Sequence, residues 1–259
     1  MEGVENRSFL LKAALVVGGG GLIFGYDIGV ISTTITAMKK DIPMDDISEG
    51  WVMGIMGVGA IVGALVAGPL CDVMGRWRTI QLQNALFCVG SIVTGCARGL
   101  DGLYVGRFII GMASAVSSIA DIPYLNEISP PSVRGQVTSA YELLTSLGVL
   151  LSFLVGWLCV GGAGSSSNSI SDNGSGWRAA FLLPVALALA QSLGMLSLPE
   201  SPQWLLEKQR AEEAGAALQL VRVVFYSMLF LHFLVCDGIF VSLDLLLRAC
   251  ILWYHMARD

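Results

Sequence analysis

The sequence predicts an all-α integral membrane protein, and three observations lead to that fold class. Of its 259 residues, 54% are hydrophobic and 14% are charged, whereas a soluble domain carries about a quarter charged residues. The charged residues are concentrated between long apolar runs, each close to the length of about 20 residues that a helix needs to cross the hydrocarbon core. The runs lack the alternation of a β-barrel strand, so helices are the structure that can satisfy their backbone hydrogen bonds in lipid.

Six apolar runs follow one another in the first 200 residues. Each predicts one membrane-spanning helix, and short polar connections join most of them. We therefore expect residues 1–200 to form a six-helix transmembrane bundle, with runs at 10–35, 51–71, 79–97, 103–122, 137–160 and 179–198.

The second run contains small residues at helical spacing. Gly59, Gly63 and Ala67 are each four residues apart, which places them on one face of a helix. Small residues on one face let the backbones of neighbouring transmembrane helices approach closely. We expect this face to pack against another helix.

Two different segments follow the bundle. Residues 201–222 form a charged, amphipathic stretch that suits a helix on the inner membrane surface. Residues 223–259 form an atypical apolar tail, and its central charges cost roughly 2.5–3.5 kcal/mol each on insertion scales. The tail is predicted to fit a seventh spanning helix poorly, because it carries His232, Asp237, Asp244 and Arg248.

The distribution of lysine and arginine predicts a cytoplasmic N-terminus. In that orientation the outer segments hold Lys39, Lys40, Arg98 and Arg178, while the inner segments hold twice as many basic residues. Basic residues favour the cytoplasmic side. The inner ones are Arg7, Lys12, Arg76, Arg78, Arg134, Lys208, Arg210 and Arg222.

The long polar loop after the fifth run is then extracellular. It contains the sequon Asn173-Gly174-Ser175, which predicts N-glycosylation of Asn173 on the accessible side. A chance match to the motif is the alternative. The sequon at Asn6 lies on the cytoplasmic side and should stay unmodified.

The sequence does not indicate an enzyme, a metal site or an organic cofactor. Its six cysteines include no C-x-x-C pair and mostly lie in apolar runs, so we expect neither a disulfide nor a metal. Asp27 with Asp237 or Asp244 would make an aspartyl protease dyad, but the second acid lacks the G-x-G-D context of such proteases. Nothing indicates nucleic-acid binding.

Three polar clusters fall on the predicted cytoplasmic side: "GPLCDVMGRWR", "NEISPPSVRG" and "PESPQWL". Acids and arginines at helix ends can pair across bundles and hold one transport state closed, as a cytoplasmic latch. For any single cluster, ordinary interfacial charge is the alternative. The predicted latch residues are Asp72, Gly75, Arg76, Glu127, Arg134, Gly135 and Glu200.

With "GYDIGVIS" and "GRFIIGMAS", these clusters resemble the motifs of the sugar porter family of the major facilitator superfamily, in the same order. The likeness runs from about residue 13 to about residue 222. It implies the N-terminal six-helix half of a twelve-helix transporter. "SSIA" and the acid at Glu142, where many members carry glutamine, look most similar to the animal glucose transporter type 10 and type 12 branch.

The sequence departs from the family pattern in several places. Val73, Trp77 and Gln203 stand where arginines are usual, and each change removes one expected latch partner. After Arg222 neither a long intracellular domain nor the "QQ-x-x-G-x-N" motif is found.

Asp27 and Arg107 are charged residues inside apolar runs. Counting from about Leu11, 16 residues at 1.5 Å per residue place Asp27 roughly 24 Å into a core of roughly 30 Å. Arg107 lies about five residues into the inward-running fourth span, roughly 7–8 Å from the outer surface, so the two depths agree. The resemblance implies that this pair carries proton coupling; a structural ion pair is the alternative.

Other buried polar residues receive weaker predictions. The resemblance places Glu142 on the face that meets the sugar, where a carboxylate can accept hydrogen bonds from hydroxyls; pairing with an arginine near the inner interface is the alternative. Asp121 is expected at the inner interface. Tyr26 and Tyr141 are expected to line the cavity or to contact lipid.

The function implied is transport of a monosaccharide or polyol by alternating access, with protons as a coupling ion if Asp27 is active. A multi-pass protein of the plasma membrane is expected. The alternative is a truncated fragment that does not transport, because substrate sites in such transporters lie between the two halves.

Overall fold

The computed structural model describes residues 7–131, 133–160 and 176–217, and this part of the chain is helical, which confirms the predicted fold class. Six long helices are followed by one short helix and a helical stretch at 211–217. The helices are α1 (Arg7–Asp41), α2 (Asp46–Met74), α3 (Arg76–Gly95), α4 (Leu100–Ile128), α5 (Arg134–Val160), α6 (Gly176–Met195) and α7 (Pro202–Glu207).

Five of the six long helices are long and apolar enough to cross a membrane. The third does not reach that apolarity, although six spans were predicted, because α3 carries buried polar side chains. It packs against α4 and α6, so these side chains face protein. They are Thr79, Gln83, Asn84, Ser91 and Thr94.

Helices α1 and α4 organise the bundle. Helix α1 packs against α5, α6 and α4, and α4 packs against α2 and α3. Two of the buried apolar clusters lie near opposite ends of α1, one around Val17 and the other around Met38. Because α1 and α4 are central, residues near the middle of each are enclosed by protein.

The predicted small-residue face of α2 packs against α4. A β-carbon at Gly59 would overlap the carbonyl oxygen of Phe108, and one at Gly63 would lie 2.6 Å from that of Met112. Ala67 is also buried. The expected close approach of two backbones is confirmed, and the reason is that no side chain separates them.

Side chains cap two helices where the sequence carries favourable N-cap residues. Asp45 precedes α2 and accepts hydrogen bonds from the backbone nitrogen of Ser48 at 3.3 Å and from its hydroxyl at 2.5 Å. These bonds lower the pKa of Asp45. Ser201 precedes α7 and accepts a bond from the Trp204 nitrogen at 3.3 Å, with Pro202 in the first turn.

Candidate functional site

The structure brings Asp27 and Arg107 together inside the bundle. Asp27 on α1 is 0% exposed and Arg107 on α4 is 1% exposed. Nη1 of Arg107 donates a hydrogen bond to the backbone oxygen of Asp27 at 3.3 Å, and Nη2 lies 3.3 Å from the sulfur of Met56. The contact agrees with the depths estimated from the sequence, while the coupling role stays a prediction.

The carboxylate of Asp27 is not held by the arginine. Neither of its oxygens has a hydrogen-bond partner among the described residues, and neither does Nε of Arg107. The guanidinium therefore balances the carboxylate charge through space while it binds the backbone. A buried carboxylate without hydrogen bonds is costly when it is ionised, and such exceptions call for an explanation.

Glu142 lies on a side of α5 that no described helix covers. Its side chain is exposed, and its neighbour Leu143 is 71% exposed. The alternative prediction, pairing with an arginine near the inner interface, is not seen among the described residues. Glu142 is free to meet a ligand or a further part of the protein on that side, and its substrate role stays a prediction.

Part of the predicted cytoplasmic latch forms an ion-pair network at one end of the bundle. Nη2 of Arg76 lies 3.1 Å from Oε1 of Glu127, and Nε donates to the same oxygen at 3.2 Å. The two side chains are 13% and 10% exposed. Asp72 lies 3.8 Å from Arg76 but is largely exposed. Helices α2, α3 and α4 are thus joined by charge at this end.

Glu200 connects the start of α3 to the segment after α6. Its Oε1 accepts bonds from the backbone nitrogens of Trp77 at 2.9 Å and Ser201 at 3.0 Å. Gly75 separates α2 from α3 with φ +93°, a conformation that favours glycine. It also leaves room for Glu200, because a β-carbon there would lie 2.5 Å from that carboxylate.

Two further residues make contacts at this end; both lie in the predicted polar clusters but outside the predicted set of latch residues. The hydroxyl of Ser201 donates to Oε2 of Glu127, and the indole of Trp77 donates to the backbone oxygen of Met195 at 2.8 Å. Ser201 followed by Pro202 is a helix N-cap signal that could have drawn attention to it. Trp77 stands where the family usually has an arginine, and it contacts α6 through this indole hydrogen bond and not through an ion pair.

Two predicted latch residues stand apart from the network. Arg134 at the start of α5 is exposed, and its Nε donates to the backbone oxygen of Ser129 at 3.2 Å. Gly135 is exposed, with open space around it. The structure therefore joins Asp72, Gly75, Arg76, Glu127 and Glu200, and leaves these two residues at the edge.

Two predictions lie outside the described residues. One is glycosylation at Asn173, and the other concerns the tail at 223–259.

Two placements predicted from the sequence, those of Tyr26 and Tyr141, are wrong, and Asp121 is more enclosed than a residue at the inner interface was expected to be. Asp121 is 0% exposed inside the bundle, because α1, α3 and α5 surround it. Tyr26 and Tyr141 are 0% and 2% exposed, so within the described chain they contact neither an open cavity nor lipid. The hydroxyl of Tyr26 donates to the backbone oxygen of Ala180 at 2.7 Å.

Comparisons with known proteins identify the family of this chain. A family model described as sugar (and other) transporter matches residues 13–224. The glucose transporter GlcP of Staphylococcus epidermidis is 36% identical over 202 residues, which cover 78% of this chain and 42% of that protein. The human proton myo-inositol cotransporter is 32% identical over 218 residues, which cover 84% of this chain and 32% of that protein.

A solved structure shows the same fold. The partially occluded, inward-open structure of the xylose transporter XylE from E. coli matches with a TM-score of 0.70 at 23% identity, covering 85% of this chain and 59% of that one. The chain spans less than half the length of the two relatives named above. Since the family model matches residues 13–224, the chain belongs to the sugar transporter family.

Proposed function

We propose that this chain forms the N-terminal half of a membrane transporter that moves a monosaccharide or polyol by alternating access. Family membership supports the substrate class, since relatives of this chain are named for glucose and myo-inositol. The exposed side of α5 around Glu142 supports a substrate face. The resemblance to the animal type 10 and type 12 glucose transporters favours a plasma-membrane location.

Proton coupling is the finer part of the proposal, and the unpartnered carboxylate of Asp27 carries it. Burial favours the protonated form of this group, while the nearby guanidinium of Arg107 favours the ionised form. A carboxylate under two opposed influences can bind and release a proton when water reaches it from alternate sides of the membrane. A relative at 32% identity is named a proton myo-inositol cotransporter.

A complete transporter that carries this chain as its N-terminal half tests the coupling. Asp27→Asn should abolish sugar accumulation driven by a pH gradient but keep sugar exchange, because asparagine retains hydrogen-bonding capacity and cannot cycle a proton. The measurement is uptake into proteoliposomes, normalised to the amount of folded protein. The matched control is Asp101→Asn, which changes an exposed acid at the start of α4.

Two results would contradict the coupling role. Wild-type accumulation in the Asp27→Asn variant would show that the carboxylate does not carry the proton. If Asp27→Asn and Arg107→Ala instead lower the amount of folded protein and leave accumulation per molecule unchanged, the pair is structural. Breaking a buried charge pair typically costs roughly 3–5 kcal/mol.

The second candidate is that this polypeptide does not transport by itself. One observation favours it: the chain spans 42% of the GlcP transporter, and substrate sites in such proteins lie between two halves. The 259-residue chain alone, reconstituted in liposomes and tested for glucose, xylose and myo-inositol counterflow, decides between the two. Counterflow above empty liposomes would exclude this candidate.

The remaining site proposals follow from the same function. The Arg76–Glu127 network is proposed to hold the cytoplasmic side closed in one transport state, with Arg134 and Gly135 contributing through the other half of the transporter. Glu142→Gln is expected to raise the KM for sugar, because a neutral amide accepts weaker hydrogen bonds than a carboxylate. Glycosidase treatment of wild type and Asn173→Gln tests the orientation.

A further inference from the structure

Asp121 is a second fully buried carboxylate, separate from the Asp27–Arg107 pair. It lies on α4, and its two oxygens accept hydrogen bonds from Nε2 of Gln83 at 3.0 and 3.1 Å. The hydroxyl of Ser117, one turn earlier, donates to Oδ2 at 2.6 Å. All three side chains are 0% exposed, so protein encloses the group completely.

Each neighbouring helix presents a neutral group to Asp121. Helix α1 contributes the backbone at Gly20, and α3 contributes the amide of Gln83. Helix α6 contributes Gln191, whose Nε2 would lie 3.0 Å from a β-carbon at Gly20. Helix α5 contributes Tyr141, the titratable group nearest to the cluster, through a hydroxyl 3.5 Å from that of Ser117.

The contrast with Asp27 lies in the missing countercharge. Arg107 lies beside Asp27, whereas no lysine, arginine or histidine in the described part of the chain hydrogen-bonds or forms an ion pair with Asp121. Two neutral donors do not compensate a full negative charge in an apolar interior, where an isolated ion is very costly and such groups become neutral instead. We therefore expect the negative charge of the buried Asp121 to be neutralised by a bound cation, either a proton or a metal ion.

We propose that Asp121 is a second intramembrane proton-binding site, with the proton held on the carboxyl group in the folded bundle. A carboxylic acid keeps acceptor capacity for the Gln83 amide and gains one donor. Ser117 Oγ, at 2.6 Å, can accept that proton in a hydrogen bond and donate its own toward Tyr141. The three oxygens then form a hydrogen-bonded row between α4 and α5.

The close packing at Gly20 favours a proton over a metal cation. A β-carbon on Gly20 would overlap Oδ2 of Asp121 and lie 2.9 Å from Oγ of Ser117, so α1 backbone covers the carboxyl directly. The donors that point at the carboxylate are N–H and O–H groups, which cannot ligate a metal ion through their hydrogens. A proton adds no volume and needs no further oxygen ligands.

This site is independent of the proposed sugar function. It concerns the charge state of the folded bundle, so it holds even if Asp27 proves to be structural or the substrate is not a sugar. The test therefore uses the 259-residue chain itself, without transport as a readout.

Infrared spectroscopy of the purified chain in lipid at neutral pH detects the carbonyl stretch of a protonated carboxylic acid. We expect such a band in wild type, its loss in Asp121→Asn, and its retention in the control Asp101→Asn, which changes an exposed acid. The double variant Asp27→Asn with Asp121→Asn separates any contribution from Asp27. An unchanged band in folded Asp121→Asn would overturn the proposal.

A second variant covers the case in which Asp121→Asn does not fold. Ser117→Ala keeps the carboxyl but removes its 2.6 Å hydrogen bond, so the band should persist and shift in frequency. If the band in this variant stays at the wild-type frequency, it does not arise from Asp121. Loss of the wild-type band on adding sodium chloride at constant pH would show a metal-cation site and would also overturn the proposal.

Discussion

Tyr26→Phe removes one hydroxyl from the middle of the bundle. It tests how a backbone carbonyl of helix α6, left without its N–H donor by a proline, obtains a hydrogen bond. Pro184 lies inside α6, and proline has no N–H to donate to the carbonyl four residues earlier. That carbonyl belongs to Ala180, and it is the group to which the Tyr26 hydroxyl donates at 2.7 Å. Tyr26 and Ala180 are both 0% exposed, so α1 supplies the hydrogen bond that α6 lacks.

The expected cost follows from this arrangement. A typical hydrogen bond contributes about 1 kcal/mol net, and a buried acceptor left without a partner costs about 1–3 kcal/mol. We expect Tyr26→Phe to lower the free energy of unfolding by about 2 kcal/mol, since phenylalanine keeps the ring and removes the donor. For a chain of this size that corresponds to a fall in Tm of roughly 4–8 °C.

A double-mutant cycle isolates the cause. In Pro184→Ala, the new backbone N–H can bind the Ala180 carbonyl, so Tyr26→Phe should cost about 1 kcal/mol less in that background. Thermal unfolding of the four variants in detergent supplies the measurement. Tyr104→Phe is the matched control, because the Tyr104 hydroxyl makes no hydrogen bond to the described residues. If Tyr26→Phe costs the same in the wild-type and Pro184→Ala backgrounds, the reasoning is refuted.

Two further predictions concern the ends of the helices. Glu127→Gln should lower the free energy of unfolding by about 2–4 kcal/mol, because it leaves the mostly buried Arg76 without its main countercharge. Arg134→Gln, at an exposed arginine, should change it by no more than about 0.5 kcal/mol, and equal effects of the two substitutions in thermal unfolding would contradict the role of the pair. The lowered pKa of Asp45 means that its carboxylate stabilises α2 above the pKa of the unfolded chain, and that this contribution disappears as the pH falls through the folded-state pKa. Asp45→Asn should therefore unfold with a weaker acid dependence than wild type, and identical acid titrations of Tm would argue against the cap.

The helices and their close contacts could be predicted because they depend on local patterns. Run length and apolarity identify spanning helices, and the four-residue spacing of Gly59, Gly63 and Ala67 identifies a packing face. The agreement in depth between Asp27 and Arg107 follows from the fixed rise per residue of a helix. Each of these inferences uses the sequence of a single helix, or compares the depths of residues in two helices along the membrane normal.

The surroundings that could not be predicted depend on the rotation of each helix and on its neighbours. Asp121 has a depth that fits an interface, but α1, α3 and α5 close around it, and no sequence spacing encodes which helix faces which. The same limit applies to Trp77, which was interpreted as a lost charge and donates to the backbone of α6. The composition of α3 shows that it carries polar side chains, but whether those side chains are buried depends on how α4 and α6 pack against it.

The bond from Arg107 to the backbone of Asp27 has a consequence for electrostatics. A peptide carbonyl does not titrate, so this anchor for the guanidinium exists whatever charge the adjacent side chain carries. The positive charge therefore stays at a fixed position beside the carboxylate, and the carboxylate can be protonated or deprotonated without breaking that hydrogen bond. Two parts of Asp27 thus have different tasks: its backbone oxygen holds the guanidinium of Arg107 in place, and its carboxylate remains available to bind or release a proton.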